Sequence, residues 1–163
     1  MKEHKQFTES AENYLKVILQ LSETSGITRV RDISKAMRVK APSAANAVKT
    51  LMDGGLVKHE TYGYVELTLA GQKIAEDVAK REKILFHFLN EILRVDEASA
   101  RRDACRMEHS LSNQAMEKLI KFIEFMERGS SGGIRKCMSG LREYYRNGKM
   151  RECRKCDNKK SKD

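Results

Sequence analysis

The chain has 163 residues, 40% of them apolar, enough for one ordinary domain or two small ones sharing an interface. One proline, 6% aromatic and 34% charged residues indicate a mostly helical soluble protein; no apolar signal-peptide core follows Met1, and no apolar run is long enough to cross a bilayer. The expected location is cytoplasmic, and the four cysteines are expected as reduced thiols or metal ligands rather than a disulfide framework.

The formal charge of +9 is unevenly placed: residues 1–127 carry 20 Lys/Arg against 19 Asp/Glu, whereas residues 128–163 carry 12 against 4. The body is nearly neutral and the basic excess is mostly a tail, so net charge alone does not identify a nucleic-acid surface.

In chain order, Ala11, Tyr14, Leu15, Ile18 and Leu21 recur at helical spacing behind Thr8 or Ser10, either of which suits an N-cap, and Gly26 closes that helix. Ile33, Ala36 and Met37 mark a short second helix, and Val39 falls in a tight turn. Pro42 suits the first turn of a third helix, whose apolar positions are Ala45, Val48, Leu51 and Met52 before Gly54-Gly55 stops it. Residues 56–60 and 64–68 read as short strands around Tyr62-Gly63, a hairpin or wing. Thr68 then caps a long helix carrying Ile74, Val78, Leu85, Leu89 and Ile92 on its apolar side. Residues 96–110 form another helix, and Ser112 opens one with Met116, Leu119, Ile120, Ile123 and Met126 at spacings of three and four. Gly129-Ser130-Ser131-Gly132-Gly133 is a flexible linker ahead of an amphipathic piece, 134–145, and a polar basic tail.

The expected fold class is mainly α: an N-terminal winged helix-turn-helix followed by an all-helical domain. The expected domains are residues 1–72, 73–128, and 129–163 for linker, short helix and tail.

A winged helix-turn-helix places the second helix of its pair in the major groove. The residues expected at base edges are Pro42, Ser43, Ala44 and Asn46, with Lys49 and Thr50 further along. Asn46 suits bidentate contact with adenine, Ser43 a base or a phosphate, and Pro42 and Ala44 thymine methyls. Lys40, Arg31, Lys35 and the wing residues Lys58, His59 and Tyr62 are better placed for phosphates, which position without specifying. Residues 29–62 hold seven Lys/Arg and three Asp/Glu, so this stretch is locally basic. The competing reading is a compact three-helix domain used for protein contacts.

On a helix, Cys105 lies three residues before Glu108 and four before His109, so thiolate, carboxylate and imidazole share a face. These are donors a transition metal takes, offered from one rigid element. The competing reading is a buried thiol, a core histidine and a surface carboxylate.

Several stretches together resemble the diphtheria-toxin-repressor-like family of iron- and manganese-dependent regulators. They are Glu12-Asn13-Tyr14-Leu15, Val39-Lys40-Ala41-Pro42-Ser43, Leu67-Thr68-Leu69-Ala70-Gly71, and Asp103 through His109 with Leu111-Ser112. The resemblance covers about residues 8–127. It implies a homodimer joined by long helices, metal bound where helix one meets the second domain, and metal-dependent repression of uptake genes from double-stranded operator DNA. Carried over by position, it makes Cys105, Glu108 and His109 ligands, with Asn13 and Glu82 as further oxygen donors. Lys16, Phe86 and Arg101 stand where relatives place other ligands and cannot coordinate in their usual states, so one metal site is expected rather than two. A thiolate with nitrogen and oxygen donors favours Fe(II), Co(II) or Zn(II) over Mn(II), and Fe(II) is the first choice for regulation.

Cys153 and Cys156 form a C-x-x-C sixteen positions after Cys137, which leaves a second, zinc-type site open against a basic tail that attracts phosphates. The length points to a short form without the family's SH3-like third domain. No H-E-x-x-H, phosphate-binding Gly-rich loop or nucleophile elbow occurs, so neither an enzyme nor a small organic substrate is expected, and no membrane partner. Two alternatives stay open. One is a metal-independent winged-helix repressor, and the other a thiol sensor at Cys105, whose neighbours Arg102 and Arg106 favour a thiolate.

Overall fold

α1 (Glu9–Ser25) starts where Thr8 takes an extended backbone and its Oγ1 accepts the Ala11 amide at 3.3 Å. Of the two candidate caps, Thr8 holds the position. The helix ends as Gly26 turns left-handed at φ 69° and donates its N–H to the Ser22 carbonyl. The computed structural model describes residues 8–59, 63–128, 140–141 and 143–148. The expected linker at 129–133 and the tail lie outside the described residues, as does most of the 134–145 piece; of it, 140–141 and 143–145 are helical.

α2 (Val30–Met37) terminates on Arg38, left-handed at φ 55°. Lys40 then caps α3 (Ala41–Asp53), with Pro42 in its first turn, where the missing N–H costs nothing. β1 (Val57–His59) and β2 (Val65–Leu67) pair antiparallel in the register Val57↔Leu67, Lys58↔Glu66, His59↔Val65. The wing is tied back to the segment before α2: Val65 N–H donates to the Thr28 carbonyl at 2.9 Å, and Arg29 bridges to Tyr64. Short helix, tight turn, helix and wing follow one another as expected.

The chain forms two compact units, Met1–Lys83 and Ile84–Asp163. The first extends beyond the expected end at residue 72 because α4 (Leu69–His87) contributes Ala75 to its core. That core joins Tyr14, Leu15 and Ile18 of α1 to Ile33, Ala44, Val48, Leu51, Leu56, Val57 and Val65. Leu15 and Ile18 are wholly buried, each contributing about 1.5–3 kcal/mol of apolar burial. The stripe of α3 is phased one residue earlier than expected at its start: Ala44, Val48 and Leu51 are buried, while Ala45 and Met52 are exposed. Adjacent alanines carry the same apolar signal, so sequence alone does not choose between them.

In the second unit, the expected long helix does not remain α-helical to Ile92. Residues Phe88–Ile92 widen into a π-helical turn, closed by Leu93 N–H to the Phe88 carbonyl. Asn90 Nδ2 donates to the Val95 carbonyl at 3.0 Å and Arg94 turns left-handed at φ 60°, reversing the chain into α5 (Glu97–Ser110). α6 (Asn113–Arg128) follows, with Ser112 Oγ accepting the Ala115 amide. Leu85, Leu89, Ala100, Ala104 and Met116 form this unit's core, and Phe88 meets Phe122 edge to face at 6.3 Å.

The tightest approach lies where α4 starts. Thr68 N–H donates to the Leu56 carbonyl at 3.0 Å, its hydroxyl donates to the Gly55 carbonyl at 2.8 Å, and the same hydroxyl accepts the Gly71 amide. A Cβ on Gly71 would stand 1.9 Å from the Leu56 carbonyl oxygen. Gly71→Ala is therefore expected to cost about 3 kcal/mol or more, read as a lower urea midpoint at unchanged slope. A loss below about 1 kcal/mol would show that the helix start is free to shift.

Candidate functional site

Asp96 sets the start of α5: its carboxylate accepts the Ser99 amide at 2.9 Å and completes the N-cap. Ala100, Ala104 and Glu108, four residues apart, are the buried positions of this helix. Two alanines allow close packing, and the third position of the same stripe carries a carboxylate. Glu108 Oε2 lies 2.9 Å from His109 Nδ1, the two side chains being 5% and 7% exposed, in a contact not aligned as a hydrogen bond. Cys105, half-buried and not disulfide-bonded, lies one turn earlier.

Two donors held about 2.1 Å from one ion at right angles are roughly 3 Å apart, so this oxygen and nitrogen stand at the separation that shared coordination requires. Cys105, one turn earlier on α5, offers a sulfur donor of the type a borderline divalent ion takes.

The other expected oxygen donors lie in the first unit. Asn13 is half-buried on α1. Glu82, on α4, is committed elsewhere: its Oε2 accepts the Lys16 ammonium at 2.5 Å, and the Lys16 side chain is only 11% exposed. Glu82, expected as a metal ligand, thus forms an ion pair with Lys16. Residue by residue, Lys16 was recognisable as unable to coordinate, but its reach across 66 positions to Glu82 was not visible. Glu12, half-buried beside Asn13, is a carboxylate that sequence reasoning passed over as a donor. Arg101 donates to Glu97 at 2.7 Å and lays its guanidinium 4.8 Å from the Phe86 ring centroid. Cys137, Cys153 and Cys156 lie outside the described residues.

On the DNA-reading side, Pro42, Ser43, Asn46, Lys49 and Thr50 are exposed along one side of α3, and Lys40, Arg31, Lys35 and Lys58 are exposed around it. Ala44 is not available for a thymine methyl: it is wholly buried in the core, and Ala45 is the exposed alanine beside Asn46. The Thr50 hydroxyl donates to the Asn46 backbone carbonyl at 3.0 Å, and the Asn46 residue is exposed. Lys58 stands opposite Glu66 in the register of the wing. Arg29 was not singled out in the sequence; its guanidinium lies over the Tyr64 ring at 5.2 Å and braces the wing. His59 contributes backbone to β1, but its side chain and Tyr62 lie outside the described residues.

Residues 6–65 match the family model for the iron-dependent repressor N-terminal DNA-binding domain, and residues 68–134 match that for its metal-binding and dimerisation domain. The chain belongs to the iron-dependent repressor family. Members are DNA-binding transcriptional regulators, not enzymes. An uncharacterised HTH-type transcriptional regulator of Methanocaldococcus jannaschii is 31% identical over 118 residues, which are 72% of this chain and 94% of that protein. Among solved structures, the manganese regulator SloR is 29% identical with a TM-score of 0.65, over 73% of this chain and 55% of that one. A manganese-dependent transcriptional repressor in complex with manganese is 28% identical with a TM-score of 0.65, over 71% and 53%. The chain thus spans little more than half the length of these two solved regulators. No helix among the described residues is long and apolar enough to cross a membrane.

The cap of the donor helix has a pH signature. Hydrogen bonds from Ser99, first of all its backbone amide, hold the Asp96 carboxyl below its ordinary value of 3.8. A depressed folded-state pKa contributes stability above the unfolded value that is lost as pH falls through the folded one. Asp96→Ala is thus expected to lower the melting temperature at pH 7, with the deficit shrinking below about pH 3.8 as the native cap protonates. An equal deficit at both pH values would remove the carboxylate's charge from the account.

Proposed function

We propose that the protein is a homodimeric repressor, acting in the cytoplasm on metal-uptake genes, whose metal-loaded form binds operator DNA. The observation that carries this reading is the Glu108–His109 pair, two nearly inaccessible donors 2.9 Å apart on a helix that also presents Cys105, within a chain of the iron-dependent repressor family. Burying an ionised carboxylate is costly unless positive charge compensates it. A bound divalent ion would supply that charge together with Lewis-acid bonds to the three donors.

Cys105, Glu108 and His109 form the core of the proposed ligand set, and α1 completes it through Asn13 or Glu12. The thiolate argues for Fe(II) as effector ahead of Co(II), Zn(II) and Mn(II), even though structural relatives are named for manganese. Donors on both α1 and α5 would make metal loading favour the arrangement in which the two recognition helices of a dimer meet successive major grooves. On each α3, Asn46 reads adenine, while Pro42 and Ala45 meet thymine methyls. Lys40, Arg31, Lys35 and Lys58 hold phosphates, adding affinity that falls with salt.

Titrating chelator-treated protein anaerobically with Fe(II), and separately with Mn(II), Co(II) and Zn(II), tests the reading on DNA from upstream of its own gene. The expected result is at least tenfold tighter binding with Fe(II), abolished by Cys105→Ala. Equal affinity with every ion and with none would leave a metal-independent repressor; a response to peroxide reversed by reductant would leave a thiol sensor. On the same DNA, Asn46→Ala is expected to cost about 1–3 kcal/mol and relax preference at one position of each half-site. Lys40→Ala should instead weaken all sequences alike and reduce the salt slope by about 1.

A further inference from the structure

Lys16 is the buried lysine of the first core's principal helix. Residue and side chain are 8% and 11% exposed, yet it neighbours the wholly buried Leu15. An ammonium in such a place persists only with a compensating partner, because desolvation penalises the charged form. The partner is Glu82, 66 residues away on α4, its side chain 28% exposed, making a charge-assisted hydrogen bond from Nζ to Oε2. The pair joins α1, which packs on α2, α3 and β2, to the helix that leaves the wing.

A divalent ion drawing one donor from each of two helices ties them together. Lys16 and Glu82 accomplish the same tie with one organic cation. Unlike a metal ion, this cation is covalently part of α1 and cannot dissociate. It also excludes a competitor: an ion approaching Glu82 Oε2 would have to displace the ammonium or sit beside it, two positive charges with one carboxylate between them.

We propose that Lys16 is a resident, non-exchangeable cation that clamps α1 onto α4 in the metal-free protein and withholds Glu82 from the metal's ligand set. The clamp stands independently of the metal reading; the withholding of Glu82 rests on it. Lys16 is thus a positioning residue for the DNA-reading unit.

The test uses full-length, chelator-treated protein and amide hydrogen exchange in α1. Lys16→Met and Glu82→Gln are each expected to raise exchange across α1 at least tenfold while leaving α5 unchanged, and the charge-reversed pair Lys16→Glu/Glu82→Lys to recover most of the loss. Should Lys16→Met fail to fold, Glu82→Gln, which keeps the side chain's shape, carries the comparison. Unaltered α1 exchange in the folded single variants overturns the clamp. In parallel, Co(II) is titrated by its visible absorption. Glu82→Gln is expected to keep affinity within threefold and the spectrum unchanged, whereas His109→Ala loses at least tenfold. A tenfold loss or altered spectrum in Glu82→Gln overturns the withholding. Undiminished Co(II) affinity in His109→Ala overturns the metal reading itself, and the exchange data then decide the clamp alone.

Discussion

A helix with 3.6 residues per turn cannot bury Leu15 and Ile18 without also fixing where their neighbours point. Both are wholly inaccessible and Tyr14 nearly so, making α1 the element around which α2, α3 and β2 assemble. Lys16 is buried too, on another face of the helix about 100° from Leu15, and the resulting cost determines what must face it. Glu82 answers the charge from 66 residues away. The same helix presents Glu12 and Asn13, half-buried, one turn before Lys16. One face of α1 thus packs the core, and another carries the ion pair and two oxygen-bearing side chains.

α5 meets a related constraint with different residues. Ala100 and Ala104 let it lie close to its neighbours, and continuing that stripe brings Glu108 into the interior. Most helices would place a leucine there. A carboxylate in that position, with an imidazole at 2.9 Å, forgoes apolar burial for a polar pair of higher energetic stakes. The π-helical turn at Phe88–Ile92 and left-handed Arg94 are the backbone's contribution, turning the chain so that Asp96 can begin the donor helix. Such widened turns recur where a side chain must be aimed and regular geometry would miss.

Much of this was legible in the sequence because it is local. Caps at Thr8, Thr68 and Ser112, the stop at Gly26, Pro42 in a first turn and the two short strands each rest on a few adjacent residues, and each was found in place or with a choice of two. The spacing of Cys105, Glu108 and His109 was equally local. What was not legible required either a third dimension or a choice between similar residues. Ala44 and Ala45 differ by one step of helical phase, and only the packing of Val48 and Leu51 shows which one faces the core. Glu82 read as a donor because its position resembled one, while its ion pair with Lys16, 66 residues away, has no local signal. The widened turn after His87 left no composition signal, since Phe88, Leu89 and Ile92 are ordinary helix-core residues.

The two buried charge pairs divide the work of holding the protein in shape. Glu108 and His109 are a carboxylate and an imidazole 2.9 Å apart, both of ligand type. Lys16 and Glu82 are compensated at all times. If α1 is already anchored by a cation that never leaves, an exchangeable ion elsewhere works against a smaller disorder than it would on an unanchored helix. The available change in affinity shrinks accordingly, because a ligand shifts an equilibrium only by its differential affinity for the two states. A repressor built this way trades depth of response for a metal-free form that stays folded and ready, with a coupling expected near the lower part of the common range of about 1–3 kcal/mol.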